Sequence, residues 1–128
     1  MFEDYSDKKF ISFETYKRSG AAVRTTVWFV IDNGVLFIRT YRDSGKAKRL
    51  RHNSRARLAL STFGGQVKGE WVDVEVQLAN PEESERAVRL FAKKYGIQKR
   101  LTELRARILG KKYAVFACTK AQGLAGKN

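Results

Sequence analysis

The stretch "AVRTTVWFVIDNGVLFIRT" (Ala22–Thr40) contains two apolar runs on either side of a tight-turn sequence. Valine, isoleucine, threonine and aromatic residues favour strands, and "DNG" (Asp32–Gly34) is typical of a two-residue hairpin turn. We therefore predict a strand over Ala22–Ile31 that pairs antiparallel with a strand over Val35–Thr40. This hairpin is the local feature from which the rest of the fold is inferred.

The first strand of this hairpin has two different faces. Because successive side chains of a strand point to opposite sides, Arg24, Thr26 and Trp28 share one face. The more apolar face carries Val23, Thr25, Val27, Phe29 and Ile31.

Further elements are expected on both sides of the hairpin. Apolar periodicity and turn residues predict a strand over Phe10–Lys17, a short helix from Ser44 to about His52, strands within 53–63 and 70–79, helices over 80–96 and 97–110, and a last strand over 112–120. The helix over 80–96 has the clearest boundaries, because Asn80 can cap it, Pro81 suits its first position and Gly96 can end it.

This order of elements predicts a mainly β (α+β) fold. Six antiparallel strands with short connections favour a closed or nearly closed small barrel with helices packed outside it. We expect a single domain over residues 1–120 and a flexible tail over residues 121–128.

Composition narrows the classes of function. The 128 residues carry 26 Lys and Arg against 13 Asp and Glu, a formal net charge of +13, which predicts attraction to polyanions. One cysteine, Cys118, and one histidine, His52, give no internal disulfide and a poor basis for a metal site. The sequence has neither an apolar run of membrane-spanning length nor a signal-peptide pattern, so we expect a cytoplasmic protein.

Cations are concentrated where the short helix begins. A helix N-terminus carries partial positive charge and favours acidic neighbours, yet this one is followed by Lys46, Lys48 and Arg49. With Thr40, Ser44 and Gly45 beside Lys46, the junction can form a phosphate-binding site, and Arg24 and Arg39 of the hairpin can add bidentate contacts. The competing interpretation is a solvated surface helix whose lysines keep the protein soluble.

The segment "RTTVWFVIDNGVLFIRTYRDSGKAKRLRHNSRARLAL" (Arg24–Leu60) resembles the flavin-binding split-barrel family related to pyridoxamine-phosphate oxidase. It is most similar to the branch that uses the deazaflavin coenzyme F-420. The resemblance rests on "TTVWF" (Thr25–Phe29), a strand ending in Thr40, and the spacing of "SGKAKRLRHNSR" (Ser44–Arg55).

The resemblance implies a six-stranded split β-barrel that works as a homodimer, with a cofactor site at the subunit interface. It implies that the cofactor ring lies along the strand at Arg24, Thr25, Thr26, Val27 and Trp28. It also implies that the cofactor phosphate is bound at Thr40, Ser44, Gly45 and Lys46.

Two departures bear on the identity of the cofactor. The FMN-binding oxidases of this family have a Ser-Arg-Lys pattern where this chain has Ser44, Gly45 and Lys46, and a lysine where it has Phe29. Both differences favour coenzyme F-420 over the alternative, FMN. The high positive charge would also attract the polyglutamate tail of coenzyme F-420.

The predicted function is hydride transfer from reduced coenzyme F-420 to an electron-poor small organic substrate. Tyr5 and Tyr41 are candidate proton donors or packing residues, and Trp28 either covers the cofactor ring or fills the barrel wall. Alternatives are an FMN-dependent oxidoreductase, a carrier of flavin or deazaflavin without turnover, and a haem-binding barrel. A nucleic-acid-binding barrel that stacks bases on exposed aromatic residues is a fourth, from another class.

Overall fold

The chain folds into seven strands, two α-helices and a short 3-10 turn within residues 2–96 and 113–121, which this computed structural model describes. The elements are the 3-10 turn Glu3–Tyr5, β1 (Ile11–Tyr16), β2 (Ala22–Val27), β3 (Val30–Asp32), β4 (Val35–Tyr41), α1 (Gly45–His52), β5 (Arg55–Leu60), β6 (Val72–Leu78), α2 (Pro81–Tyr95) and β7 (Tyr113–Lys120). The predicted second helix over 97–110, and the predicted tail beyond Ala121, lie outside the described residues.

All strands join one antiparallel sheet in the order β2-β1-β5-β6-β7-β4-β3. The sheet curls into a half-barrel with the helices against its faces, which confirms the predicted mainly β split-barrel architecture. Neither helix in the described part of the chain is long and apolar enough to span a membrane.

The predicted hairpin is present at β3 and β4. Asp32 pairs with Val35 across the turn, and the two residues between them have positive φ, 53° at Asn33 and 79° at Gly34. This is the backbone of the turn type that joins twisted antiparallel strands with two residues, and it explains why asparagine and glycine occupy these positions.

The predicted long strand Ala22–Ile31 is instead two strands, β2 and β3, separated by Trp28 and Phe29. β2 pairs with β1 and β3 pairs with β4, and these two segments form opposite edges of the sheet. Three peptide steps between Val27 and Val30 span at most about 11 Å. The sheet therefore has to curl until its two edges approach each other at Trp28 and Phe29.

The last turn of α2 holds this break in place. The Tyr95 hydroxyl accepts a hydrogen bond from the Phe29 N–H at 3.1 Å. It lies 2.8 Å from the carbonyl oxygens of both Phe29 and Lys9, either of which can accept its single hydrogen. The Lys94 ammonium donates to the Phe29 carbonyl at 3.0 Å. The indole of Trp28 stacks on the Tyr95 ring with centroids 4.2 Å apart.

Helix α2 begins and ends as the sequence predicts. Asn80 and Glu83 form a reciprocal capping box, Pro81 occupies the first turn, and Gly96 follows the last residue with φ of 81°. The helix buries Ala87 and Phe91 in an outer cluster with Val30, Phe37, Ala79 and Val115. Helix α1 packs on the other side, where its Ala47 and Leu50 join the barrel interior with Phe13, Ile38 and Phe116.

We predict that Tyr95→Phe lowers the free energy of unfolding by about 1–3 kcal/mol, because it leaves the buried Phe29 N–H without its acceptor. Urea denaturation followed by circular dichroism measures the change. Tyr41→Phe is the matched control, since Tyr41 is exposed and its hydroxyl contacts that of Tyr113 at 3.5 Å, and it should change stability by less than about 0.5 kcal/mol. Equal effects of the two variants would contradict the role given to Tyr95.

Candidate functional site

The predicted phosphate-binding residues meet at the start of α1, where β4 ends. Ser44 is the N-cap, and its Oγ accepts a hydrogen bond from the Ala47 N–H at 3.1 Å. The Thr40 Oγ1 lies 3.0 Å from the Ser44 Oγ. One hydroxyl hydrogen is used between Thr40 and Ser44, so the other remains available to an acceptor.

Lys46 is half-buried in this first turn and has a cationic neighbour. Burial, and then the charge of Arg49, lower the pKa of the Lys46 ammonium to about 8. The first turn of α1 contains no acidic residue, and within residues 2–96 and 113–121 no carboxylate lies within ion-pair distance of either cation. Positive charge is thus concentrated here without a described counter-ion.

Arg49 joins Thr40, Ser44 and Lys46 at the start of α1. Its contacts with Thr15 and Gly45 were not indicated by the sequence. Its Nε donates a 2.7 Å hydrogen bond to the Oγ1 of buried Thr15 on β1. Its Nη1 packs so closely on Gly45 that a Cβ at that residue would lie 2.9 Å from it. The glycine therefore makes room for a guanidinium that comes from one helical turn further along.

The two faces of β2 have different surroundings, as predicted from the alternation. Arg24 and Thr26 are exposed, whereas Thr25 and Val27 are half-buried. The Thr25 Oγ1 is a buried atom with no hydrogen-bond partner in the described part of the chain. Thr25 lies opposite Phe13 in the β1–β2 register. Phe13 and Thr15 are on the same face of β1, so Thr25 lies on the side of the sheet where Arg49 bonds to Thr15.

Arg24 is engaged on the outer face of the sheet. Glu14, 4% exposed, pairs with Arg57 at 2.8 Å and with Arg24 at 3.3 Å. Mainly the Arg57 hydrogen bond holds the pKa of the Glu14 carboxyl below its usual range. Both guanidinium groups also lie under the Trp71 ring, 4.7 and 4.6 Å from its centroid. The predicted cofactor contact of Arg24 stays a prediction, but its head group already has these partners.

Arg39 and Thr40 point to opposite faces of β4, so the structure does not bring Arg39 to the start of α1. The Arg39 guanidinium lies 3.8 Å from the centroid of the Tyr113 ring and 5.7 Å from that of Phe91. The Tyr113 ring in turn stacks on Tyr41 at 4.7 Å. Arg39 and Tyr41 therefore belong to an aromatic and cationic cluster beside α2.

The remaining predicted aromatic residues pack against the protein itself. One face of Trp28 is covered by Tyr95 and the residue packs on the outer cluster, which fits the barrel-wall interpretation. Tyr5 is buried and meets Phe29 edge-on at 6.2 Å, and burial raises its pKa.

Several solved structures share the fold of this chain. HutZ, the haem storage protein of Vibrio cholerae, superposes with a TM-score of 0.72 at 14% identity over 91% of this chain and 84% of its own. A putative pyridoxamine 5'-phosphate oxidase of Listeria innocua gives 0.64 at 11% identity over 89% and 85%. An F420 reductase gives 0.60 at 12% identity over 93% and 92%.

No protein-family model matches the chain, and no curated protein sequence matches it. At these identities the structural neighbours establish the fold, which is that of split-barrel proteins like pyridoxamine 5'-phosphate oxidase.

The lowered pKa of Lys46 makes stability depend on pH. In the unfolded chain Lys46 has its ordinary pKa of 10.5, so between about pH 8 and 10.5 the unfolded chain binds more protons and the free energy of unfolding rises with pH. Lys46→Gln lacks this contribution. We expect its stability relative to the wild type to fall by on the order of 1 kcal/mol between about pH 7 and pH 9.5, after solvent screening.

Urea denaturation at both pH values measures this difference, and Lys48→Gln, at an exposed position of the same helix, is the control. The Lys48→Gln difference should not change with pH. A Lys46→Gln difference that is also independent of pH would show that Lys46 is not desolvated.

Proposed function

We propose that this protein is an oxidoreductase that binds coenzyme F-420, with FMN as the alternative cofactor, at the start of α1 and along β2. The observation that carries the proposal is the pair of cations, Lys46 and Arg49, at a capped helix start with no described carboxylate beside them. An anion bound there would offset the cost of keeping Lys46 charged in a partly desolvated place. The split-barrel fold, shared with an F420 reductase, supports the same conclusion.

The donor set fits a phosphate group. Backbone N–H groups at a helix start point outward, the Thr40–Ser44 pair has a hydroxyl hydrogen to donate, and Lys46 and Arg49 supply the charge. Arg49 over Gly45 also provides a guanidinium where the Ser-Arg-Lys pattern of the FMN-binding oxidases has one at the middle position.

The ring of the cofactor fits along β2. This strand forms one edge of the sheet, so half of its backbone groups face away from β1 and are available to a ligand. Thr25 adds a buried hydroxyl without a described partner, on the face that leads to Thr15 and Arg49. Thr26, Val27 and Trp28 complete the predicted contact.

When bound and reduced, coenzyme F-420 supplies a hydride for an electron-poor small molecule, such as one with a conjugated double bond. The chain's contribution is to hold the phosphate at Lys46 and Arg49, to orient the ring along β2 and to exclude water from it. The proposal includes a homodimer, because Phe63 and Leu78, 79% and 68% exposed, offer apolar surface for a subunit contact.

We predict that the protein retains coenzyme F-420 through dialysis and that Lys46→Met weakens its affinity at least tenfold, since a charge-assisted contact contributes about 1.5–3 kcal/mol. Quenching of cofactor fluorescence measures the affinity. The control is Lys17→Met, which makes the same change of charge in the exposed β1–β2 turn and should alter affinity by less than twofold. Thr25→Val should weaken binding several-fold.

Parallel titrations with FMN, haemin and oligonucleotides separate the alternatives. If the protein retains FMN but not coenzyme F-420, and Lys46→Met weakens FMN binding, the cofactor is FMN and the proposed binding site still holds. Haemin retained without either flavin would favour a haem-binding function like that of HutZ. Tight, salt-dependent oligonucleotide binding with no cofactor retained would overturn the proposal in favour of a nucleic-acid-binding barrel.

A further inference from the structure

A cavity of about 310 Å³ lies at the opposite edge of the sheet from β2. It is formed by edge strand β3, by the last turns of α2 and by the segment before β1, and its lining residues are Ser6, Val30, Ile31, Leu90, Lys93 and Lys94. This volume is at the lower end of the range for small-molecule sites, about 300–1,000 Å³.

The cavity combines an apolar wall with a single partly buried cation. Val30, Ile31 and Leu90 form the wall. Val30 belongs to the outer cluster beneath α2, and Leu90 packs against that cluster. The Lys94 ammonium lies 3.7 Å from the centroid of the Phe29 ring and donates one hydrogen bond, to the Phe29 carbonyl. An ammonium group has three donors.

Lys94 has no carboxylate within ion-pair distance among the described residues. Asp7 is the nearby acidic group that favours its charged form, but the Asp7 carboxylate lies 3.7 Å from the Lys8 ammonium and is exposed. Burial lowers the pKa of Lys94 to about 8, so the amine is still largely protonated at neutral pH. A partly buried ammonium beside an apolar wall is stabilised by a ligand that has both an anionic group and an apolar part.

We propose that this cavity binds a small aromatic or branched aliphatic carboxylic acid, with its apolar part against Val30, Ile31 and Leu90 and its carboxylate on Lys94. The single partly buried amine matches one carboxylate, whereas Lys93, which also lines the cavity, is exposed. The apolar wall favours a ligand with an apolar body over a strongly hydrated polyanion. The cavity is separate from the proposed phosphate-binding residues at α1, because α1 packs into the barrel interior whereas Val30 and α2 pack in the outer cluster. Trp28, at the end of the proposed ring site, also packs on this outer cluster. The inference does not depend on the proposed cofactor.

The test compares two probes with the same ring system, 2-naphthoate and the neutral 2-naphthalenemethanol, by isothermal titration calorimetry on the full chain. We expect one 2-naphthoate per chain and at least tenfold tighter binding of the acid than of the alcohol. Lys94→Met should reduce this preference to within twofold. Lys17→Met, with the same loss of charge far from the cavity, should retain it.

Lys94 also supports the β2–β3 break, so Leu90→Trp provides an independent variant that keeps Lys94 and fills the cavity. Circular dichroism verifies that it is folded, and we expect it to lose 2-naphthoate binding. Saturating coenzyme F-420 or FMN should leave the 2-naphthoate affinity of the wild type unchanged.

Three results would overturn the proposal. They are equal binding of acid and alcohol to the wild type, undiminished 2-naphthoate binding by folded Leu90→Trp, and competitive displacement of 2-naphthoate by either cofactor.

Discussion

Closure of the sheet at Trp28 and Phe29 constrains the rest of this structure. The chain passes from one edge of the sheet to the other in two residues, and Phe29 lies outside both strands, so its backbone polar groups have to find partners elsewhere. Tyr95 and Lys94 provide them from α2. These hydrogen bonds join the last turn of α2 to the junction between the two edge strands.

Both ligand sites that we propose lie beside the two sheet edges that this closure brings together. Edge strand β2 is where we propose that the cofactor ring lies, while edge strand β3 forms one wall of the cavity at the last turns of α2. An edge strand is open to further pairing, and α2 packs against edge strand β3. We therefore propose two ligands of different chemistry for the same barrel.

The cationic side chains fall into two groups, those with partners in the protein and those without a nearby carboxylate among the described residues. Arg24 and Arg57 neutralise the buried Glu14 and pack on Trp71, and Arg39 packs on Tyr113. Three other cations are partly desolvated and have no carboxylate within ion-pair distance among the described residues. They are Lys46, Arg49 and Lys94. A net charge of +13 thus includes a structural part and a part suited to binding anions.

Local sequence determined the elements whose signals are complete within a few residues. The Asn33–Gly34 turn needs two residues that tolerate positive φ, and α2 begins and ends at its capping box and Gly96. The alternation in β2 likewise separated Arg24 and Thr26 from Thr25 and Val27. The grouping of Thr40, Ser44, Gly45 and Lys46 was predictable because these residues are adjacent along the chain.

Only the tertiary structure decided features that depend on residues distant in sequence. The break at Trp28 and Phe29 follows from curling of the whole sheet and from Tyr95, which is 66 residues from Phe29, so β propensity predicted one strand. The Arg49–Thr15 contact, the pairing of Arg24 with Glu14 and the cavity at Lys94 likewise join separate elements. Propensity and periodicity describe neighbours along the chain, whereas burial and charge pairing depend on which elements meet in space.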